Sequence, residues 1–178
     1  MRIVAEDALA EFPYTEVEVQ TPCSPFMAAV SIPMTNICAV SIIRSGDCLL
    51  EAVREVEPAI RVGKILIQRD ESTPDKVAKL YYSKMPPGTE NMHILLCDPM
   101  LATGGSALRA LKVLVEDYKV DPAKIVFANM VCVPEGLKAM ADAYPAVKIV
   151  TACVDEGLDD DKFIVPGLGD YGDRFFNT

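Results

Sequence analysis

The fold is decided by residues 93–118, which read HILLCDPMLATGGSALRALKVLVEDY. The first five residues, 93–97, predict a short strand. Residues 98–106 follow as a turn with an acid, two glycines and two hydroxyls. Residues 107–118 predict an amphipathic helix, because their apolar side chains recur with the helical period. A strand, a short turn and a helix in direct succession are typical of an α/β domain.

The alternation of strand and helix continues on both sides of this stretch. The run CAVSII at 38–43 is almost continuously apolar, as expected for a parallel strand buried on both faces. The sequence therefore predicts an α/β fold with a mainly parallel, twisted sheet flanked by helices. Further strands are predicted at 61–68, 77–83, 124–133 and 147–154, and further helices within the first 13 residues and at 48–57 and 134–144.

Length, composition and charge narrow the class of protein. The chain has 178 residues, of which 51% are hydrophobic and 24% are charged. This is enough for one full-sized domain with a real core, and it excludes a disordered chain. Lysine and arginine number 17 against 26 aspartates and glutamates, so the net charge is −9. Broad binding to nucleic acid or to anionic membranes is disfavoured, because both need a basic surface.

The cysteines and the start of the chain indicate the compartment. Six cysteines are scattered without a C-x-x-C pair, and Cys38, Cys97 and Cys132 lie within predicted strands. We interpret these three as small buried side chains in a reducing compartment. The acidic start fits neither a signal peptide nor a transit peptide, and no apolar run approaches the roughly 20 residues of a membrane span. We therefore expect a cytoplasmic protein without a membrane partner.

The turn at 98–106 has the composition of a phosphate site. Gly104 and Gly105 allow close approach of the backbone, and the following helix presents its N-terminal N–H groups. Thr103 and Ser106 add hydroxyl donors, and Asp98 is a natural acceptor for sugar hydroxyls. The alternative is an ordinary strand-to-helix turn in which Ser106 is the N-cap. The residues alone leave both interpretations open, although the missing lysine excludes a P-loop.

Two arginines follow apolar strands at the same predicted edge of the sheet. Arg44 and Arg69 each come after a strand, and an arginine in that position can bind phosphate oxygens in a forked geometry. The alternative is a surface salt bridge with the nearby Asp47 or Asp70. Both interpretations stay open from the sequence.

A second glycine-rich stretch, GLGDYG at 167–172, matches the G-x-G-x-x-G pattern of dinucleotide sites. Such a site needs a following helix and an acid about 20 residues further on. Only six residues follow Gly172, so we reject that interpretation. The stretch instead offers exposed backbone amides that can bind the edge of a small planar molecule.

Residues 15–33 predict a hairpin ahead of the main sheet. In TEVEVQT, at 15–21, Val17 and Val19 alternate with polar residues, which favours a half-exposed strand. Residues 27–33 can return as its partner across the turn PCSP.

Four motifs together resemble the uracil phosphoribosyltransferase family, within the type I phosphoribosyltransferase superfamily. They occur in the family's order, and the resemblance runs from about residue 5 to the last residue. The ending is the most specific of them, because it resembles the uracil-binding loop. The motifs are IIRSG at 42–46, KILIQRDE at 64–71, DPMLATGGS at 98–106 and IVPGLGDYGDRFFNT at 164–178.

The resemblance implies a reaction and a set of site residues. Uracil and 5-phosphoribosyl 1-diphosphate would give UMP and diphosphate with Mg²⁺, which is reached through substrate and water near Asp170. The catalytic residues would be Asp170 and Arg69. Uracil would be bound by Ile164, Gly169, Asp170 and Tyr171. The phosphoribosyl diphosphate would be bound by Arg44, Ser45, Gly46, Arg69, Asp98, Pro99, Met100, Leu101, Ala102, Thr103, Gly104, Gly105, Ser106 and Asp170.

The resemblance also implies an organisation. Residues 1–178 would form a single domain, with a dimerisation arm at 15–33 and a uracil-binding hood at 155–178. Residues 70–92 would cover the diphosphate, with Lys84 as a closing contact. We expect a homodimer or a larger assembly.

Two other functions remain open at this point. One is a homologue that binds a nucleotide without turnover, or a pyrimidine-responsive regulator that binds RNA, although the net charge of −9 weighs against RNA. The other is the same chemistry on a different base.

Overall fold

The computed structural model describes residues 1–69 and 78–178. The helices are α1 (Arg2–Ala10), α2 (Gly46–Val56), α3 (Gly105–Lys112), α4 (Pro134–Ala143) and α5 (Tyr171–Phe176). The strands are β1 (Tyr14–Gln20), β2 (Pro25–Ser31), β3 (Ile37–Ile43), β4 (Arg61–Arg69), β5 (Ala78–Lys84), β6 (His93–Cys97), β7 (Met100–Leu101), β8 (Ile125–Cys132), β9 (Lys148–Val154), β10 (Gly157–Leu158) and β11 (Ile164–Val165).

The central sheet is mainly parallel, as the sequence predicts. Its strands run in the order β5-β4-β3-β6-β8, and both β7 and β9 pair with β8. All of these pairs are parallel except β4 with β5. The polypeptide therefore brings the carboxyl ends of β3, β4 and β6 to one edge of the sheet.

Apolar side chains cover both faces of the sheet, which explains the continuous apolar runs. Val40, Leu96 and Phe127 point to one side, where α3 and α4 contribute Leu111 and Met140. The intervening residues of the same strands point to the other side, where α1 and α2 pack. That second core includes Val4, Ala8, Leu49, Val53, Ala39, Leu95 and Ala128.

The cysteines of the core strands are buried as predicted. Cys38, Cys97 and Cys132 are fully buried, and Cys48 of α2 joins them. In the part of the chain that the structure describes, no helix is long and apolar enough to cross a membrane.

The α-helix after the turn at 98–106 is shorter than predicted. Its α-helical part ends at Lys112, and residues 113–117 form a wider π-type turn. The backbone N–H of Tyr118 donates to the carbonyl of Val113 at 3.2 Å, and that of Val120 to Leu114 at 3.0 Å. The amphipathic pattern marks the buried face but does not distinguish between these two helical hydrogen-bond patterns.

The hairpin forms a two-stranded sheet separate from the central one. Its register pairs Tyr14 with Ser31 and Gln20 with Pro25. The sequence predicts one buried face, but all seven residues of β1 are exposed in the single chain. Val17 and Val19 remain 40% and 41% exposed, so the apolar face is left open.

Candidate active site

The carboxyl edge of the sheet gathers the predicted phosphate-binding residues. Arg44 follows β3, Arg69 is the last residue of β4, and Asp98 follows β6. Strand β3 lies between the other two strands. The backbone of Arg69 is therefore at the predicted edge, and its side chain lies outside what the structure describes.

Asp98 is a buried carboxylate at the base of the turn. It is 8% exposed, and its Oδ1 accepts a hydrogen bond from the Met100 N–H at 3.5 Å. Burial raises the pKa of the Asp98 carboxyl to about 7, and the hydrogen bond from Met100 opposes that rise. A carboxyl in this setting holds its charge at a cost that a polyhydroxyl ligand can offset by donating hydrogen bonds.

A second buried polar residue fixes the backbone of the turn. Asn129 is fully buried, and its Nδ2 donates to the main-chain carbonyl of Asp98 at 3.0 Å. The Thr151 hydroxyl donates to Asn129 Oδ1 at 2.8 Å. Both the nitrogen and the oxygen of the Asn129 amide are therefore hydrogen-bonded. Sequence reasoning missed Asn129, although a lone amide inside the apolar run KIVFANMVCV is a visible signal.

Residues 99–101 tie the turn to the neighbouring strand. The carbonyl of Pro99 accepts from the N–H groups of Met130 and Val131 at 3.1 and 3.0 Å. Met100 and Leu101 pair with β8 as the short strand β7. Leu101 is 1% exposed, so its side chain belongs to the core while its backbone shapes the turn.

The glycine-rich part of the turn forms a small concave site of about 180 Å³. Gly104 adopts a left-handed conformation with φ +85° and is the N-cap of α3. Gly105 opens the helix, Ser106 lies inside it, and the Thr103 hydroxyl accepts from the Gly105 N–H at 3.5 Å. The alternative in which Ser106 caps the helix is therefore wrong. The site is lined by Asp98, Met100, Leu101, Ala102, Thr103, Gly104, Gly105, Ser106 and Ala107.

The turn after β3 packs tightly against the turn after β6. Gly46 opens α2, and any Cβ there would collide with the main-chain oxygen of Cys97. Asp47 accepts hydrogen bonds from the Ser41 hydroxyl at 2.5 Å and from Lys64 Nζ at 2.6 Å. Asp47 is therefore paired with Lys64 and Ser41, and the predicted alternative of an Arg44–Asp47 salt bridge is wrong.

Arg44 forms its salt bridge with the far end of the chain instead. Its Nη2 donates to Asp173 Oδ1 at 2.5 Å, and its Nη1 donates to the Thr178 hydroxyl at 2.9 Å. Both partners lie more than 120 residues away in sequence, so no local pattern could indicate them.

Residues 155–178 fold over the same edge of the sheet. Strands β10 and β11 pair Gly157 with Val165, and the Gly167 N–H donates to Asp155 Oδ2 at 3.0 Å. Gly169 has φ +77°, which lets the chain turn into α5. The Asp170 carboxylate caps that helix by accepting from the Asp173 N–H at 2.9 Å.

A cleft of about 310 Å³ lies between this segment and the two turns. It brings together all four residues predicted to bind uracil and three residues of the turns predicted to bind phosphate. Asp161, Lys162 and Phe163 also line it, and sequence reasoning missed them because they belong to a loop without a motif. The predicted residues in the cleft are Ser45, Met100, Ala102, Ile164, Gly169, Asp170 and Tyr171.

The predicted cover is only partly described. Residues 70–77 lie outside the described residues, and the remainder forms β5, a loop and a turn at Thr89–Asn91. Lys84 pairs in register with Lys64. Its role as a closing contact stays a prediction.

Comparisons with known proteins agree with one another. A Saccharomyces cerevisiae protein named uracil phosphoribosyltransferase is 43% identical over 176 residues, which cover 99% of this chain and 80% of the relative. The solved AQ2163 protein of Aquifex aeolicus is 31% identical, with a TM-score of 0.82 over 98% of this chain and 81% of that one.

A more distant solved structure shows the fold alone. Adenine phosphoribosyltransferase of Trypanosoma brucei is 16% identical, with a TM-score of 0.55 over 95% of this chain and 68% of that one.

The family model described as uracil phosphoribosyltransferase matches residues 1–178. With this match and with 43% identity to the yeast relative over 99% of its own residues, this chain belongs to the uracil phosphoribosyltransferase family.

Proposed function

We propose that this protein transfers the 5-phosphoribosyl group from 5-phosphoribosyl 1-diphosphate to uracil, giving UMP and diphosphate in pyrimidine salvage. The observation that carries the proposal is the shared cleft. It joins Ala102 of the phosphate turn and Ser45 of the turn after β3 to the loop at Gly169–Tyr171. A sugar phosphate and a planar base can therefore meet at one place.

The sugar diphosphate occupies the carboxyl edge of the sheet in this proposal. The 5′-phosphate lies in the turn from Ala102 to Ser106, where backbone N–H groups and the start of α3 stabilise its charge. Asp98 accepts hydrogen bonds from the ribose hydroxyls. Arg44 binds the diphosphate together with the N–H groups beside it, and Arg69 is the second proposed cation.

Uracil lies against the backbone of the loop after β11. Ile164, Gly169 and Tyr171 offer main-chain groups to the polar edge of the ring, and Tyr171 adds an aromatic wall. Gly169 is exposed and no heavy atom lies within 4 Å of its ideal Cβ position, so its backbone is accessible to a flat ligand. Recognition through main-chain groups demands a base of the right outline and hydrogen-bond pattern.

The residues present fit a magnesium ion that arrives with the substrate. The Asp170 carboxylate is exposed and lines the cleft. Protein-bound Mg²⁺ is typically held by one or two carboxylates, substrate phosphates and several waters. When bound, the ion neutralises negative charge on the diphosphate.

Catalysis in this scheme is mainly positioning and electrostatic stabilisation. The bond between the anomeric carbon and diphosphate breaks as positive charge develops on the ribose, and a uracil nitrogen forms the new bond. Arg44 and Arg69 stabilise the departing diphosphate. Asp170 lies beside the reacting carbon and stabilises its positive charge.

The deciding experiment is UMP formation from uracil and 5-phosphoribosyl 1-diphosphate with Mg²⁺. Hypoxanthine and orotate serve as rival bases, and Asp98→Ala serves as the inactive control. Of the three bases, we expect only uracil to be turned over, and we expect the Asp98→Ala variant to lose this activity. Turnover with another base would refute uracil as the specific substrate. Nucleotide binding without any turnover would refute the proposal that the protein is an enzyme.

We also propose that the hairpin β1–β2 joins two or more copies of this chain. A two-stranded hairpin is marginally stable on its own, and this one exposes Phe26 by 64% and Met27 by 54%. We expect a dimer or larger assembly by light scattering at micromolar concentration. Phe26→Glu should shift the assembly toward the monomer. Ile3→Glu should not, because Ile3 is also apolar and 74% exposed but lies on α1, outside the hairpin.

We place the protein in the cytoplasm. Four cysteines are buried without a disulfide partner among the described residues, which suits a reducing compartment. Fractionation of the source cells should recover the protein with cytoplasmic markers, and recovery with a membrane or secreted fraction would contradict this.

A further inference from the structure

Arg44 is held on three sides by the last turn of the chain. Asp173 and Thr178 accept hydrogen bonds from its two terminal nitrogens, at 2.5 and 2.9 Å. The Phe176 ring lies against the guanidinium, with 5.6 Å between the Arg44 Cζ and the ring centroid. An arginine that is nearly half-exposed, at 45%, is thus fixed in one orientation.

Backbone packing brings α5 this close to Arg44. Gly172 is buried, and a Cβ there would lie 2.8 Å from the Ser45 hydroxyl and 3.0 Å from Arg44 Nη2. Because glycine has no side chain, the first turn of α5 lies directly on the turn that we propose binds diphosphate.

The same short helix also borders the uracil cleft. Its N-cap Asp170 and its first residue Tyr171 line that cleft, and Asp170 accepts from the N–H of Asp173. Asp170 and Tyr171 therefore face the cleft, and Asp173, two residues further along the chain, holds Arg44. Helix α5 therefore contacts both the cleft and the turn after β3 that carries Arg44.

We propose that Asp173 is a positioning residue that orients the Arg44 guanidinium for diphosphate and couples the hood to that site. This inference rests on the proposed function. Arginine carries five N–H donors, so the two hydrogen bonds to Asp173 and Thr178 leave other donors for phosphate oxygens. A long side chain that is oriented in advance loses less conformational entropy when the ligand arrives.

Orientation explains this ion pair better than fold stability does. Asp173 is 53% exposed, and exposed ion pairs contribute little to folding because water and salt screen them. The hydrogen bond from Arg44 holds the pKa of the Asp173 carboxyl below its usual range. Asp173 therefore remains a charged acceptor throughout the neutral range in which the reaction would be assayed.

The test compares Asp173→Asn with Asp142→Asn. Asp142 forms an exposed ion pair with Lys138 at 2.7 Å on α4, away from the cleft, and is the control. We expect Asp173→Asn to weaken 5-phosphoribosyl 1-diphosphate about ten-fold, both in KM and in the Kd from calorimetry. The KM for uracil at saturating diphosphate sugar should change less than about two-fold, and Asp173→Glu should restore part of the affinity. Asp142→Asn should leave all of these constants unchanged.

A double variant separates positioning from a general structural effect. In an Arg44→Ala background, Asp173→Asn should have no further effect on the Kd, because its target side chain is gone. A full additional loss would overturn the proposal, as would an unchanged affinity in the single variant. Tighter binding in Asp173→Asn would also overturn it, since Asp173 would then be competing with diphosphate for Arg44.

The assays distinguish a wrong positioning role for Asp173 from a wrong enzymatic activity. If the wild-type protein makes UMP and Asp173→Asn behaves as wild type, only the positioning role is wrong. If the wild-type protein neither makes UMP nor binds 5-phosphoribosyl 1-diphosphate, the proposed function is wrong and this inference falls with it. Thermal unfolding of each variant verifies that the comparison is made on folded protein.

Discussion

The two halves of the cleft are built in opposite ways. The turn at 98–106 rests on β6 and β7, with a buried carboxylate and a buried amide beneath it. The hood at 155–178 rests on two strands of two residues each and one helix of six. The half-exposed pair Arg44–Asp173 is one of its links to the turn after β3. The turn is preorganised by the core, whereas the hood depends on contacts between distant parts of the chain.

This difference carries an energetic consequence. Burying the Asp98 carboxylate costs free energy that the turn could recover only when a ligand donates hydrogen bonds to it. Asp170 and Asp173 of the hood are exposed and carry no such cost. Substitutions should therefore trade stability against function in the turn and affect function alone in the hood.

The largest expected effect is at Asp98. Because its folded pKa, about 7, exceeds the unfolded value, the carboxyl stabilises the native state at low pH and loses that contribution as pH rises through 7. Asp98→Asn removes this titration. Its free energy of unfolding, relative to wild type, should increase by about 2 kcal/mol between pH 5.5 and pH 8, as measured by urea unfolding at a series of pH values.

Activity should move the other way in the same variant. An asparagine cannot replace a charged acceptor for two hydroxyls, so kcat/KM for 5-phosphoribosyl 1-diphosphate should fall about 100-fold. A stability difference that does not vary with pH would show that Asp98 is charged at no cost. The contrast between turn and hood would then disappear.

Asp170→Asn tests the hood. We expect kcat to fall about 30-fold, because the carboxylate no longer stabilises the charged ribose. Stability should change by less than about 0.5 kcal/mol, since asparagine caps a helix as well as aspartate does. Steady-state kinetics and urea unfolding of the same preparation measure both, and unchanged UMP formation would refute the assigned role.

The smallest effect distinguishes two adjacent glycines of the turn. Gly104 has φ +85°, so Gly104→Ala should cost about 1 to 2 kcal/mol of stability. Gly105 lies in α3, and the nearest atom to a new Cβ would be the Thr103 hydroxyl oxygen at 3.7 Å. Gly105→Ala should therefore be neutral or slightly stabilising. Equal losses in both variants would mean that steric filling, not backbone conformation, matters here.

Much of the fold was predictable because its signals are local. The runs CAVSII and HILLC mark strands buried on both faces, and the alternation with helices gives the parallel sheet. The predicted half-buried hairpin was wrong for the single chain, because β1 is exposed on both faces. The apolar residues of the hairpin indicate an apolar face, but they do not identify the surface that covers it.

The candidate site divides along the same line. Asp98, Gly104 and Ser106 were identifiable because they occupy one contiguous turn. Asn129 and the Arg44–Asp173 pair were not, because their partners come from other strands or from the far end of the chain. Arg44 shows this most clearly, since the nearest acid in sequence, Asp47, bonds to Lys64 instead.

Local patterns in the sequence predict the fold class, the position of the turn at 98–106 and the family. Each of these depends on a periodic pattern or a contiguous motif. Periodic patterns arise from burial, and the motifs arise from short-range steric and hydrogen-bonding requirements. The pairing of charges, the burial of polar groups and the turns that share a cleft become visible only in the folded protein. Those outcomes depend on distances between residues far apart in the chain, and chain folding alone sets such distances.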